Sequence, residues 1–352
     1  MDCFDALAMT NNNKQREENV SGPVQRTIES NGIRLNITEQ GNGPPVILCH
    51  GFPESWYSWR HQLTALAEAG FHAVAPDMRG YGKSDRPEAI DQYTIFHLIG
   101  DLVGLLDAIE APTAVIIGHD WGAAIAWQAA RLRPDRFRAV ASLSVPLRPR
   151  GPVRPTSVMP QTADAQFYQL YFQEPGVAEA ELERDPRVTI LSMLYGASGE
   201  GAIAFRAAAA RGENTGTPGM VPRNGGWLQE LTLPPALPAW LTYTDVDFYA
   251  GEFKRNGFRG PLNYYRNFDR NWELMAAFAG VTVKVPALFI AGDHDMVIAG
   301  PPGIDQHLAN LRQFVTTLRD VRILPGCGHW TQQERPSEVS AAIIDFIRGL
   351  PD

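Results

Sequence analysis

Residues 118–122 read Gly-His-Asp-Trp-Gly, which sets Asp120 between two glycines after the apolar run 114–117. Glycines at these positions permit a tight turn from a strand into a helix, and such a turn pushes the central side chain into a cleft. A carboxylate there is a poor acyl nucleophile, but it can displace a leaving group at saturated carbon and form an ester that water then attacks. The pattern predicts this chemistry on an epoxide or an alkyl halide. The alternative is that Asp120 only caps the following helix.

Two later loops supply candidate partners for such a nucleophile. Residues 326–330 read Gly-Cys-Gly-His-Trp and follow the apolar run 321–324, so His329 lies on a glycine-flanked loop at a strand end. Residues 292–295 read Gly-Asp-His-Asp and follow the run 287–291. The order nucleophile, acid, base along the chain is that of hydrolases with this turn. His329 is the candidate base, and either Asp293 or Asp295 can orient it through its Nδ1–H.

Residues 50–53 read His-Gly-Phe-Pro after the run 46–49. Glycine and proline shape a turn whose Phe52 N–H can face the nucleophile and, with the Trp121 N–H, form an oxyanion hole. We take Phe52, Trp121, His50 and Pro53 as the substrate-contacting positions. His119, adjacent to the nucleophile, is interpreted as structural.

Strand-like runs alternate with helical patterns along most of the chain, which predicts a mostly parallel sheet covered by helices on both faces. An Asn-Gly pair at 31–32 inside the alternating stretch 24–40 predicts a hairpin. From 148 to about 280 the chain is Ala-, Pro- and aromatic-rich, with helical stretches and no strand runs. We therefore predict a flexible leader at 1–23, a core at 24–147 and 279–352, and a helical cap at 148–278. The apolar runs predicted as parallel strands are 46–49, 73–75, 114–117, 140–143, 287–291 and 321–324.

The composition of the chain argues against several classes of binding partner. A net charge of −8 argues against nucleic acid or an anionic membrane as a partner. No run of 18 apolar residues predicts a membrane span, and the first 20 residues lack the apolar stretch of a signal peptide, so we expect a cytoplasmic protein. Three cysteines are too few for a disulfide framework, and no Cys/His spacing predicts a metal site. The chain is expected to be a monomer or a homodimer.

These motifs, from about residue 24 to the C-terminus, resemble those of epoxide hydrolases with the α/β-hydrolase fold. The likeness extends to 50–56 (His-Gly-Phe-Pro-Glu-Ser-Trp), to the loop 77–84, interpreted as structural, and to two predicted cap segments, 167–176 and 257–266. It implies that Tyr168 and Tyr265 activate an epoxide oxygen and that Asp295 is the acid. The family more often has tryptophan where this chain has Tyr264. The resemblance implies a small apolar epoxide and water as reactants, without a cofactor.

Two other functions are compatible with parts of this pattern. Haloalkane dehalogenases of this fold form the same aspartate ester and share the Asp-Trp-Gly sequence. Many of them carry a halide-binding asparagine at the position of Phe52, which favours the epoxide. A non-catalytic ligand-binding homologue is the other alternative, and it is disfavoured because every catalytic position is filled.

Overall fold

The computed structural model describes residues 22–213, 216–231 and 233–351. The leader predicted at 1–23 therefore lies outside the described residues, apart from Gly22 and Pro23. The predicted α/β-hydrolase architecture is present: a central sheet with helices on both faces and a helical segment inserted between two of its strands.

Eight strands form the central sheet, in the order β1-β2-β4-β3-β5-β6-β9-β10. The pairs β1–β2 and β2–β4 are antiparallel, and the other neighbours pair in parallel. All six apolar runs predicted as parallel strands lie in this sheet. The predicted hairpin turns at Asn31 and Gly32, which both have positive φ. The strands are β1 (Val24–Ser30), β2 (Ile33–Gln40), β3 (Pro45–Cys49), β4 (His72–Pro76), β5 (Ala114–His119), β6 (Phe137–Leu143), β9 (Ala287–Gly292) and β10 (Leu318–Leu324).

Alternate side chains of the strands enter two separate apolar layers. In β3, Val46 and Leu48 pack into the layer covered by the first and last helices, whereas Ile47 and Cys49 pack into the layer on the other face. Burial on both faces explains why these strands are continuous apolar runs. The helices are α1 (Arg60–Glu68), α2 (Ile95–Ala108), α3 (Trp121–Leu132), α4 (Tyr168–Tyr171), α5 (Val177–Leu182), α6 (Pro186–Gly196), α7 (Gly199–Ala210), α8 (Tyr243–Asn256), α9 (Arg259–Arg266), α10 (Phe268–Leu274), α11 (Met296–Ala299), α12 (Ile304–Phe314), α13 (Thr331–Glu334) and α14 (Pro336–Arg348).

Helices α4 to α10 lie between β6 and β9, in the segment predicted as the cap. The prediction that this segment has no strands is wrong. Strands β7 (Ala165–Phe167) and β8 (Met220–Pro222) pair antiparallel, with Phe167 opposite Met220. Each has three residues, which is too short to give a periodic signal in the sequence. This small sheet ends directly before Tyr168 and fixes the backbone there.

Within the described residues, no single helix is long and apolar enough to cross a membrane. Helices α6 and α7 meet the length and composition criterion only when taken together, and they are bent by 77° at their junction.

The loop 77–84, predicted to be structural, connects three parts of the fold through Arg79. The buried guanidinium of Arg79 bonds both carboxylate oxygens of Asp101 on α2, at 2.8 Å from Nε and 2.5 Å from Nη2. Asn31 of the β1–β2 turn donates to the same carboxylate, and the Arg79 carbonyl accepts from the Tyr264 hydroxyl on α9. The ion pair therefore joins the loop to α2 and the hairpin, and the Arg79 carbonyl joins it to the inserted helices.

Replacing Arg79 alone leaves the Asp101 charge buried without its cation. We expect Arg79→Met to lower the free energy of unfolding by about 3–5 kcal/mol, measured by urea denaturation. Arg34→Met is the matched control, because the Arg34–Asp85 pair is exposed and its loss is expected to cost below about 1 kcal/mol. Equal losses in the two variants would contradict a structural role for the buried pair.

Candidate active site

Asp120 lies at the turn between β5 and α3 with a φ of 52° and a ψ of −117°. A Cβ added to Gly118 would overlap the carbonyl of Gly122, and one added to Gly122 would overlap the carbonyl of Cys49 on β3. Only glycine fits at either position, because a backbone carbonyl lies where a Cβ would be. The strand-to-helix turn predicted from the sequence is present, and it holds Asp120 at the carboxyl end of the sheet.

The Asp120 carboxylate turns away from α3 toward two other groups. Its Oδ1 accepts the Phe52 N–H at 2.9 Å, and its Oδ2 lies 3.5 Å from His329 Nε2. Burial by itself would raise the pKa of Asp120, but the hydrogen bond and positive charge of His329 outweigh it and lower the pKa below its ordinary value. The carboxylate is thus ionised, and although Asp120 precedes the first residue of α3, its side chain makes no capping hydrogen bond to that helix.

His329 lies between two carboxylates. Its Nδ1 is 3.0 Å from Oδ2 of Asp295. The Asp295 side chain is fully buried, and its Oδ1 accepts the Val297 N–H. Burial opposes the imidazolium, yet the Asp295 charge and the hydrogen bond to Asp120 raise the pKa of His329 well above its ordinary value. Asp293, in contrast, is partly exposed and accepts the Gly326 N–H. Of the two aspartates that the residues alone left open, the structure brings Asp295 to His329.

Glu54 is a buried residue to which the sequence analysis gave no role. Its carboxylate accepts the Gly51 N–H at 2.8 Å and lies 2.7 Å from His119 Nδ1. His119 Nε2 is in turn 2.7 Å from the carbonyl oxygen of His329. This chain links the turn that carries Phe52 to the backbone of the histidine loop, in agreement with a structural role for His119. The available signal was a charged residue directly after the uncharged residues 51–53.

The ring of His50 is occupied by the backbone. Its Nε2 accepts the Met78 N–H, and its Nδ1 is 3.0 Å from the Gly51 carbonyl. Burial lowers the pKa of His50 to about 4, so the ring is neutral. The geometry gives His50 the task of holding the turn, because both ring nitrogens have backbone partners. Pro53 is buried next to it, joined to Phe52 by a cis peptide bond.

Two tyrosines from the inserted segment lie within reach of the Asp120 charge. The rings of Tyr168 and Tyr265 are 6.3 Å apart, and Tyr265 lies edge-on to Trp121 at 5.1 Å. Burial and then the Asp120 charge raise the pKa of Tyr168 to about 12, against a hydrogen bond from Gln169. The same two causes raise the pKa of Tyr265 well above its ordinary value. Both hydroxyls keep their protons at neutral pH.

Tyr264 is oriented differently from its neighbour. Its hydroxyl donates to the Arg79 carbonyl at 2.8 Å, and the side chain is almost fully buried. The proton of Tyr264 is therefore used in the link to the loop 77–84. Of the two adjacent tyrosines, it is Tyr265 whose hydroxyl is affected by the Asp120 charge.

The chain matches the family model described as alpha/beta hydrolase fold over residues 44–336. It is 48% identical to epoxide hydrolase A of Mycobacterium tuberculosis over 336 residues, which cover 94% of this chain and 99% of that protein. The chain belongs to the epoxide hydrolases of the α/β-hydrolase fold family.

Other epoxide hydrolases are also similar to this chain over most of its length. Epoxide hydrolase 2 of Siraitia grosvenorii is 41% identical, with 92% of this chain and 97% of that protein covered. The crystal structure of epoxide hydrolase A from Mycobacterium thermoresistibile superposes with a TM-score of 0.83 at 48% identity, covering 94% of this chain and 99% of that one. An epoxide hydrolase from an endophytic Streptomyces gives a TM-score of 0.87 at 44% identity, with 94% and 96% covered.

The raised pKa of His329 generates a prediction for this family member. A free histidine loses its proton at about pH 6.5, but the His329 ring should remain an imidazolium above that pH. An NMR titration of the labelled ring measures this. Asp295→Asn should lower the pKa, because it removes the charge that contributes most to the elevation. Asp293→Asn is the control and should leave the titration unchanged. Titration near 6.5 in the wild type, or a larger shift in the Asp293 variant, would refute the assignment.

Proposed function

We propose that this chain hydrolyses small apolar epoxides to vicinal diols through an ester on Asp120. The observation that carries the proposal is the placement of the Asp120 carboxylate between the Phe52 N–H and His329, with the rings of Tyr168 and Tyr265 6.3 Å apart and Tyr265 against Trp121, the residue after Asp120. Burial and the Asp120 charge raise the pKa of both tyrosines, so both hydroxyls are protonated. Aromatic rings from the core and the inserted segment surround these groups and suit an apolar substrate. They include Phe52, Trp121, Phe172 and Phe268.

In the first step, Oδ2 of Asp120 attacks an epoxide carbon and the carbon–oxygen bond of the ring breaks. The leaving oxygen is a strongly basic alkoxide, so it requires a proton donor as it forms. Tyr168 and Tyr265 supply the hydrogen bonds and the proton. Oδ1 is held by the Phe52 N–H, which leaves Oδ2 as the attacking atom.

In the second step, His329 Nε2 takes a proton from water, and the water oxygen attacks the Asp120 carboxyl carbon. Oδ1 becomes the oxyanion, and the Phe52 and Trp121 N–H groups stabilise it. Trp121 is the first residue of α3, where amide groups lack an acceptor within the helix. As the intermediate collapses, His329 returns that proton to the leaving alkoxide, and the diol is released. The Asp120 carboxyl group then gives its proton to His329, while the tyrosine that protonated the epoxide oxygen is restored through solvent by the proton that the His329 imidazolium released after ester formation. Asp295 keeps the imidazole oriented throughout.

A haloalkane dehalogenase is the second candidate, because Asp120, His329 and the Trp121 ring fit it equally well. Halide leaves as a stable anion and requires N–H donors, whereas an epoxide oxygen requires a proton. The two tyrosine hydroxyls beside Asp120 therefore favour the epoxide.

The two-step scheme predicts that His329→Gln forms the ester but does not hydrolyse it. With styrene oxide, intact-mass spectrometry should detect protein plus one substrate, and peptide mapping should place the addition on Asp120. Asp120→Asn is the control and should form no adduct. Normal steady-state turnover by the His329 variant would exclude it as the base.

The tyrosine pair gives a prediction that separates the two substrate classes. Tyr168→Phe and Tyr265→Phe should each slow ester formation from styrene oxide by about 10²–10⁴-fold, and the double variant should nearly abolish it. Tyr264→Phe is the matched control and should be close to neutral, because its hydroxyl bonds the Arg79 carbonyl. Rapid quenching and mass spectrometry measure the rate. A wild-type rate in the double variant, with turnover of 1-bromobutane, would establish the halide reaction instead.

A further inference from the structure

Trp227 lies in the irregular part of the inserted segment and packs against one of the two tyrosines. Its ring stacks on Tyr168 with centroids 5.0 Å apart and planes only 9° from parallel. Its edge contact with Phe172, at 5.1 Å and 77°, fixes it from a second side. Phe172 also contacts Tyr265 at 5.0 Å. Trp227 therefore belongs to the same aromatic cluster as both hydroxyl groups.

The backbone around Trp227 is held by one carboxylate. Glu181 of α5 accepts the N–H of Trp227 at 2.9 Å and the N–H of Leu228 at 3.0 Å. The Tyr171 hydroxyl also donates to it at 2.9 Å. A Cβ added to Gly226 would overlap this carboxylate, so the chain passes very close to it. Hydrogen bonds to an ionised acceptor are stronger than neutral ones, and three of them meet here.

The segment that carries Trp227 is also connected to Tyr168 through the backbone. Phe167 of β7 pairs with Met220 of β8, and the Tyr168 N–H donates to the Gly219 carbonyl at 2.7 Å. These bonds fix the start of α4, but they do not fix the rotation of the Tyr168 side chain. The stacked indole restricts that rotation, together with the edge contact of Phe172 at 5.4 Å and the hydrogen bond that Gln169 donates to the hydroxyl at 3.0 Å.

We propose that Trp227, clamped by Glu181, is a positioning residue that holds the Tyr168 hydroxyl against the epoxide oxygen, which rests on the function proposed above. Correct placement matters because proton transfer to the opening ring requires hydrogen-bond distance, and a misplacement of about 1 Å costs about 10²-fold in rate. Tyr168 acts in ester formation, whereas His329 acts in ester hydrolysis. A loosened Trp227 should therefore slow the first step and spare the second.

The experiment measures both steps separately with styrene oxide, by rapid quenching and mass spectrometry of the Asp120 ester. We expect Trp227→Ala to slow ester formation by about 10–10²-fold and to change ester hydrolysis by less than about 2-fold. Glu181→Gln, which removes the charge but keeps the shape, should give a smaller effect in the same direction. Trp227→Phe should recover most of the rate because it restores a ring. Trp240→Ala is the matched control, since the Trp240 side chain bonds Glu200 on α7, and it should leave both rates unchanged.

A double-mutant comparison tests whether Trp227 acts through Tyr168. In the Tyr168→Phe background, Trp227→Ala should have almost no further effect on ester formation, because the hydroxyl to be positioned is absent. An unchanged effect in that background, or equal slowing of both steps by Trp227→Ala alone, would overturn the proposal.

A measurement that does not depend on activity separates this proposal from the proposed function. With ring-labelled tyrosine, the two sides of the Tyr168 ring should give separate NMR signals in the wild type and averaged signals in Trp227→Ala. Absence of an Asp120 ester in His329→Gln, where the ester cannot be hydrolysed, would refute the function alone. Identical ring signals in wild type and Trp227→Ala would refute the positioning role, whatever the activity.

Discussion

The charge of Asp120 is the constraint on which the other features depend. Only 19% of this side chain is exposed, so its negative charge requires partners within the fold. The Phe52 N–H and the His329 imidazolium supply them, one for each oxygen. The Glu54–His119 chain then holds those two partners relative to each other, from the turn at Gly51 to the His329 carbonyl. The partners that keep the Asp120 carboxylate ionised are therefore the same groups whose positions the fold fixes.

The sheet brings these groups together because parallel strands end at the same edge. Asp120 follows β5, and Asp295 and His329 follow β9 and β10. The tyrosines come from the segment inserted between β6 and β9. In the proposed reaction, the tyrosines that protonate the epoxide oxygen come from the inserted segment, whereas His329, which activates water, follows a strand of the sheet. A change that displaces only the tyrosines should therefore slow ester formation and spare ester hydrolysis.

The sequence predicted the elements with strong local signals. Strands buried on both faces form apolar runs, and the Asn31–Gly32 turn requires positive φ at both residues. The site features that it left open depend on contacts distant in the chain. Asp293 and Asp295 share one loop, and only the path of that loop directs Asp295 to His329. Glu54 meets His119 across 65 residues, and the three-residue strands β7 and β8 carry no periodic signal.

The electrostatics of the free site also determine how the proposed reaction can proceed. The charge of Asp295 and the contacts with Asp120 raise the pKa of His329, which favours the imidazolium before substrate reacts. Formation of the ester neutralises Asp120 and removes its part of that stabilisation, so the pKa of His329 falls once the ester exists. The imidazolium can then release its proton through solvent to the tyrosinate left by ring opening, and the neutral imidazole accepts a proton from water in the step that needs a base. Asp295 remains charged and keeps the ring in place, so orientation is retained while basicity becomes available.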